Sequence, residues 1–150
     1  MVQDTSFFAI WAPRMLSILR IVIGVLFLQH GTAKLLHVPH VAGMDNVQLM
    51  SLVGWAGVLE LVGGFLLAIG LFTRPVAFVL SGEMAFAYFI AHAPRGALPI
   101  LNGGDLAVVY CFVFLYFAVA GGGPWSVRGR SGSAHTGAHY EYSATSGRHP

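Results

Sequence analysis

Apolar stretches alternate with short polar breaks along most of the chain. They run from about Met15 to Leu36, Leu52 to Leu71, Thr73 to His92 and Gly103 to Ala120, the last two being short. About 20 apolar residues in helical form cross the roughly 30 Å hydrocarbon core of a bilayer, and a helix pairs its backbone groups internally. The pattern therefore predicts an all-α, polytopic membrane protein with a four-helix transmembrane bundle.

The composition supports lipid as the surrounding solvent. Of the 150 residues, 56% are hydrophobic and 9% are charged, and the mean hydropathy is +0.72. A soluble domain carries about 25% charged residues, so a water-soluble globule is excluded. The net charge of +2 is small, which argues against a nucleic-acid partner. Cys111 is the single cysteine, so intramolecular disulfides and dithiol redox chemistry are excluded.

The breaks divide the chain into three parts. We predict a cytoplasmic or interfacial segment over residues 1–14 and a transmembrane domain over residues 15–127. Residues 128–150 are rich in Ser, Gly and His, with too little apolar surface to offset the entropy of ordering, and are predicted to be a flexible tail.

The distribution of basic residues predicts the orientation. Four spans place both termini on one side, and four arginines lie near the membrane there: Arg14, Arg74, Arg128 and Arg130. The other side carries Lys34 and Arg95. The positive-inside rule then places both termini in the cytoplasm, and we expect the protein in the bacterial cytoplasmic (inner) membrane.

Several ionisable residues lie within the predicted spans. A charge at the bilayer centre costs at least about 2.5–3.5 kcal/mol, so these side chains are expected to face one another inside the bundle or to serve a function. We interpret them as an intramembrane polar cluster and a candidate ligand or proton site. They are Arg20, His30, Lys34, Glu60, Glu83, His92 and Asp105.

Helical geometry predicts which residues share a face. One stripe of the first helix contains Arg20, Gly24, Phe27, Gly31 and Lys34. One stripe of the second contains Gly57, Glu60, Gly64 and Ala68, whose small members permit close helix approach. The third aligns Glu83 with Ala87, and the fourth aligns Asp105, Phe112 and Tyr116.

The stripes lead to two predicted pairings. Lys34 is expected to pair with Asp105 or Glu60, and Arg20 with Glu83 or Tyr116. A plainer interpretation remains open for some of these groups: Arg20 extends to the interface, and Asp105 only caps the fourth helix. Glu60 is the best single functional candidate, because its short side chain cannot reach water from the middle of a span.

The ordered motifs resemble the DoxX family of small four-helix membrane proteins. The similarity rests on RIVIGVLFLQHGTAK at 20–34, GWAGVLELVGGFLLAIGLFTRP at 54–75, LNGGDLAVVY at 101–110 and GGGPWSVRG at 121–129. The family's characteristic positions would correspond to Arg20, His30, Gly31, Lys34, Glu60, Asn102, Gly103, Gly104 and Asp105. The chain departs from the family pattern in using Asp105 where glutamate usually follows the NGG element, and Val127-Arg128 in place of an acidic ending.

The resemblance implies a redox-associated accessory subunit that binds quinone or couples a partner oxidoreductase to the quinone pool. Catalytic residues are not assigned. Candidate ring-packing aromatics are Phe27, Phe86, Tyr88, Phe112 and Tyr116. The main alternative is a non-enzymatic scaffold or anchor that recruits partner proteins to a larger complex, or that forms a homo-oligomer. Small-solute transport and a haem between His30 and His92 are less favoured, and no metal site is predicted.

Overall fold

The computed structural model describes residues 5–44 and 47–127. Within these ranges all the regular secondary structure is helical, and there is no strand. The long helices are α1 (Thr5–Leu36), α2 (Leu52–Ile69), α3 (Thr73–Ala87) and α4 (Asp105–Ala120). The connection from α3 to α4 contains a π-helical turn at Tyr88–His92, a 3₁₀ turn at Ala93–Arg95 and one α-helical turn at Pro99–Asn102. The predicted tail, residues 128–150, lies outside the described residues.

Local chemistry explains where the helices begin and end. The Ser51 hydroxyl accepts a hydrogen bond from the Gly54 amide at 3.1 Å and caps the start of α2. Gly70, with φ +74°, ends α2 in the left-handed conformation that glycine adopts without strain. The short turn to α3 that follows makes α2 and α3 sequential neighbours.

Close backbone contact joins α1 to α2. A Cβ atom added at Gly24 would lie 2.7 Å from the Ala68 nitrogen, and one added at Gly64 would lie 2.6 Å from the Leu28 nitrogen. A Cβ at Gly31 would overlap the Leu61 backbone. The glycines therefore let the two helices approach backbone to backbone, as the predicted stripes required.

The remaining helices close the bundle around an apolar core. Phe27 of α1 makes edge-to-face contacts with Tyr110 and Phe114 of α4, with ring centroids 5.3 and 4.8 Å apart. Leu67 of α2 and Leu80 of α3 are fully buried in the same cluster. Side chains from all four long helices thus meet in one core.

The lengths and surfaces of the helices suit a membrane. Three helical segments are long and apolar enough to cross one: Phe7–Leu36, Leu52–Ile69 and Thr73–Arg95. α4 is also apolar but has 16 residues, or about 24 Å. The outward surface carries many large apolar side chains, which lipid accommodates and water does not.

Helix α1 is longer than predicted. We expected the first span to begin at about Met15, whereas α1 begins at Thr5 and continues through Pro13. A proline inside a helix removes one backbone hydrogen bond, and here the helix tolerates that loss. Phe7, Phe8 and Trp11 on this extension are exposed.

Candidate functional site

A buried ion pair joins α1 to α2. The Lys34 Nζ lies 2.6 Å from Glu60 Oε1, and the two side chains are 15% and 3% exposed. Close packing at Gly57 brings the helices together here, since a Cβ at Gly57 would lie 3.2 Å from the Lys34 Cβ. Of the two partners predicted for Lys34, the structure selects Glu60.

Asp105 does not join this pair. It is exposed in the first turn of α4, where a negative charge interacts favourably with the positive end of the helix dipole. Gly104 is the N-cap residue, so Asp105 does not occupy the capping position itself. The predicted Lys34–Asp105 pairing is therefore wrong, because the first turn of α4 presents this carboxylate outward.

Two further side chains approach the ion pair. His30 is one turn before Lys34 on α1, and Tyr110 lies on α4; both side chains are within electrostatic range of Glu60. The His30 and Tyr110 rings meet edge to face with centroids 6.0 Å apart, and Tyr110 is buried. His30 Nδ1 lies 2.9 Å from the Leu26 carbonyl, which sets the orientation of its ring.

Helix α3 contributes a second carboxyl group. Glu83 is within electrostatic range of both Glu60 and Lys34. Both Glu83 oxygens and the Glu60 Oε2 are buried and lack a hydrogen-bond partner among the residues that the structure describes. The four long helices thus each supply a polar side chain to one region, which we call the interior cluster: His30, Lys34, Glu60, Glu83 and Tyr110.

Tyr110 is the member of the interior cluster that the sequence did not reveal. The predicted stripe of α4 contained Asp105, Phe112 and Tyr116, but Phe112 and Tyr116 are exposed. The face of α4 that packs inward carries Tyr110, with Ala107, Phe114 and Phe117. α4 is apolar on every side, so periodicity could not identify its inner face.

The other ring-packing candidates divide in the same way. Phe27 is buried beside the interior cluster, whereas Phe86 is exposed. Tyr88 is partly buried and stacks on His92, with centroids 6.4 Å apart. Phe27 and Tyr110 are therefore the aromatic residues that line the cluster.

Arg20 occupies a different site, in the middle of α1 and beside the C-terminal end of α2. It is fully buried, and its guanidinium donates hydrogen bonds to the Leu67 and Ala68 carbonyls, to the Gly122 carbonyl at 2.8 Å and to the Trp125 carbonyl at 3.2 Å. The predicted pairing with Glu83 or Tyr116 is wrong. Backbone carbonyls at the end of α2 carry partial negative charge and take the place of a carboxylate. Arg20 thereby ties α2 to the 121–127 segment.

The NGG element organises the turn before α4. The side-chain amide of Asn102 donates a hydrogen bond through Nδ2 to the Gly96 carbonyl at 2.8 Å. Its Oδ1 accepts a hydrogen bond from the backbone N–H of Gly104 at 2.8 Å. His92 Nδ1 lies 3.1 Å from the Asn102 carbonyl. Gly103 has φ +70°, which favours glycine. Asn102 and His92 thus have structural contacts outside the interior cluster.

The two histidines proposed for haem ligation have different surroundings. His30 contacts Phe27 and Tyr110, while His92 contacts Tyr88 and Asn102. Among the described residues, no group of three or more His, Cys, Asp or Glu side chains could hold a metal ion.

The fold and the apolar surface define an integral membrane protein with a helical bundle. A model of the DoxX family matches residues 15–93, more than half of the chain. A protein of Haemophilus influenzae (strain ATCC 51907 / DSM 11121 / KW20 / Rd), described as uncharacterized, is 48% identical over 117 residues, covering 75% of this chain and 87% of the relative. No solved structure matches the chain. The chain belongs to the DoxX family, as its motifs predicted.

Proposed function

We propose that this DoxX protein is a redox-associated membrane subunit that binds the headgroup of a quinone at the interior cluster. The proposal rests on one observation: the Lys34–Glu60 ion pair lies inside the bundle beside carboxyl oxygens that lack partners among residues 5–44 and 47–127. Buried polar atoms are usually paired, so unpaired ones indicate a place where a ligand can supply the missing hydrogen bonds.

The residues present fit a quinone. Its ring is flat and apolar, and Phe27 and Tyr110 offer aromatic surfaces beside the cluster. Its carbonyl oxygens accept hydrogen bonds, and the Lys34 ammonium has two N–H groups beyond the one directed to Glu60. When bound, a quinone supplies two-electron chemistry that consumes or releases protons. We expect the ionisable side chains that α1, α2 and α3 contribute to the interior cluster to exchange those protons.

The proposed topology has four crossings with both termini in the cytoplasm of a bacterium. Arg14 lies on the N-terminal half of α1, and Arg74 lies 3.4 Å from the Cβ position of Gly121, which follows α4. Both arginines are therefore at the end of the bundle that contains Arg20 and its carbonyl acceptors, as the positive-inside rule expects. After Cys111 is replaced by alanine, labelling of single cysteines placed at residue 74 or 95 with a membrane-impermeant reagent tests this topology. Only the residue 95 variant should react in intact cells.

Quinone binding is tested by titrating the purified protein, in lipid nanodiscs, with short-chain ubiquinone and menaquinone analogues. We expect the Lys34→Met variant, checked for folding by thermal unfolding in the same nanodiscs, to bind at least about tenfold more weakly, because it loses a charged hydrogen-bond donor. Arg95→Gln removes an exposed cation outside the cluster and serves as the matched control. Wild-type protein that binds neither analogue would contradict the proposal.

The alternative is a scaffold that anchors partner proteins. Its support is the N-terminal extension of α1, where Phe7, Phe8 and Trp11 are exposed and available to a protein surface. A stoichiometric partner that co-purifies with the chain, together with absence of quinone binding, would favour this function. Recruitment of a partner protein and assembly into a homo-oligomer are two forms of this scaffold alternative.

A further inference from the structure

The interior cluster has an imbalance of formal charge. It contains two carboxyl groups, from Glu60 and Glu83, and one ammonium group, from Lys34. The ammonium is already committed to Glu60 at 2.6 Å. If both carboxyls were ionised and His30 were neutral, the cluster would hold one unbalanced negative charge within the bundle.

Glu83 is the carboxyl group of the interior cluster that receives no hydrogen bond from the described residues. Both of its oxygens are shielded from solvent, and neither accepts a hydrogen bond from any residue that the structure describes. An ionised carboxylate in such surroundings is far more costly than a neutral acid. Glu60, by contrast, receives a charged hydrogen bond that stabilises its ionised form.

We propose that Glu83 is held as the neutral acid and uses its O–H group to donate a hydrogen bond to a carbonyl oxygen of the bound ligand. This inference rests on the proposed quinone function, and it makes Glu83 a residue that selects a hydrogen-bond acceptor. The charged groups that act on Glu83 are Glu60 on α2 and Lys34 on α1. The other titratable groups of the cluster, His30 on α1 and Tyr110 on α4, lie within electrostatic range of Glu60.

The first test is the protonation state, which does not depend on the ligand. Infrared spectra of the protein in lipid vesicles at neutral pH should contain the C=O stretch of a carboxylic acid. Glu83→Gln should remove this band. Asp105→Asn, which changes an exposed acid near the start of α4, should leave it unchanged. If no acid band is lost with Glu83, the side chain is ionised and this inference is wrong.

The second test is binding of a short-chain quinone by two variants of Glu83. Glu83→Gln keeps an N–H donor of similar length and should bind within about threefold of wild type. Glu83→Met fills similar volume without a donor and should bind about tenfold more weakly, as expected for one lost hydrogen bond. Equal affinity loss in both variants would overturn the donor role.

The two tests separate the two proposals. Thermal unfolding of each variant in the same nanodiscs checks that it is folded. If wild-type protein binds no quinone, the proposed function fails, and the infrared band still decides whether Glu83 carries a proton. If quinone binds but the acid band is absent, the function stands and this inference fails.

Discussion

Replacing Lys34 by methionine would leave the Glu60 carboxyl buried without its charged partner. Removing one member of a buried ion pair costs about 3–5 kcal/mol of unfolding free energy. Glu60 is only 3% exposed, so the full range applies to Lys34→Met. Replacing Glu60 by methionine is expected to cost less, about 1–3 kcal/mol. Lys34 is 15% exposed and close to the end of α1, so its long side chain can extend to water.

A double-mutant cycle measures the coupling between the two residues. The Lys34→Met/Glu60→Met variant removes both charges and conserves apolar volume, so it should unfold within about 1 kcal/mol of wild type. The assay is reversible unfolding in mixed micelles, with SDS as the denaturant and circular dichroism as the signal. Single variants that each lose less than about 1 kcal/mol, with additive effects in the double variant, would refute the reasoning.

Further predictions concern packing, clamps and turns, each measured in the same unfolding assay. Gly31→Leu should lower the unfolding free energy by about 3 kcal/mol or more, because its side chain would clash with the α2 backbone. Gly82→Ala has open space around it and should raise the unfolding free energy by up to about 1 kcal/mol. Similar effects of the two substitutions would contradict the packing account. Arg20→Met should cost about 3 kcal/mol or more by leaving several carbonyls unpaired, and a loss below about 1 kcal/mol would show that they find other donors. Asn102→Ala should cost about 1–3 kcal/mol and exposed Asp105→Asn less than about 0.5 kcal/mol, and an equal loss would argue against the Asn102 turn.

The α1–α2 half of the site was predictable because its residues report helical geometry directly. Gly31 and Lys34 share one stripe, and Gly57 and Glu60 share the facing one. Small residues and rare charges are informative in an apolar chain, since each has a specific consequence for helix approach or for solvation. The Lys34–Glu60 pair was accordingly one of two alternatives that the sequence left open.

The α4 half was not predictable in the same way. Asp105 was the only charged residue on which to base an inner face, and its position in the first turn lets it face outward. Tyr110 gave no distinct signal because apolar residues surround it on every side of the helix. Its inward position follows from packing against Phe27, which is a tertiary contact.

The environment of Arg20 was hidden for another reason. Its acceptors are backbone carbonyls, such as those of Ala68 and Gly122. Every residue has a backbone carbonyl, so the residue types along the sequence do not indicate which ones accept these hydrogen bonds. We expected a carboxylate or hydroxyl side chain as the partner of Arg20, and that expectation was wrong. The end of a helix can supply the same negative potential without any acidic residue.

The most direct test of the central claim uses the Lys34→Met/Glu60→Met variant for binding. This variant should be as stable as wild type, so a change in its affinity reports on the interior cluster and not on folding. We predict that it binds short-chain quinone in nanodiscs at least about tenfold more weakly than wild-type protein. A stably folded double variant that binds quinone with wild-type affinity would contradict the assignment of the ligand site to this cluster.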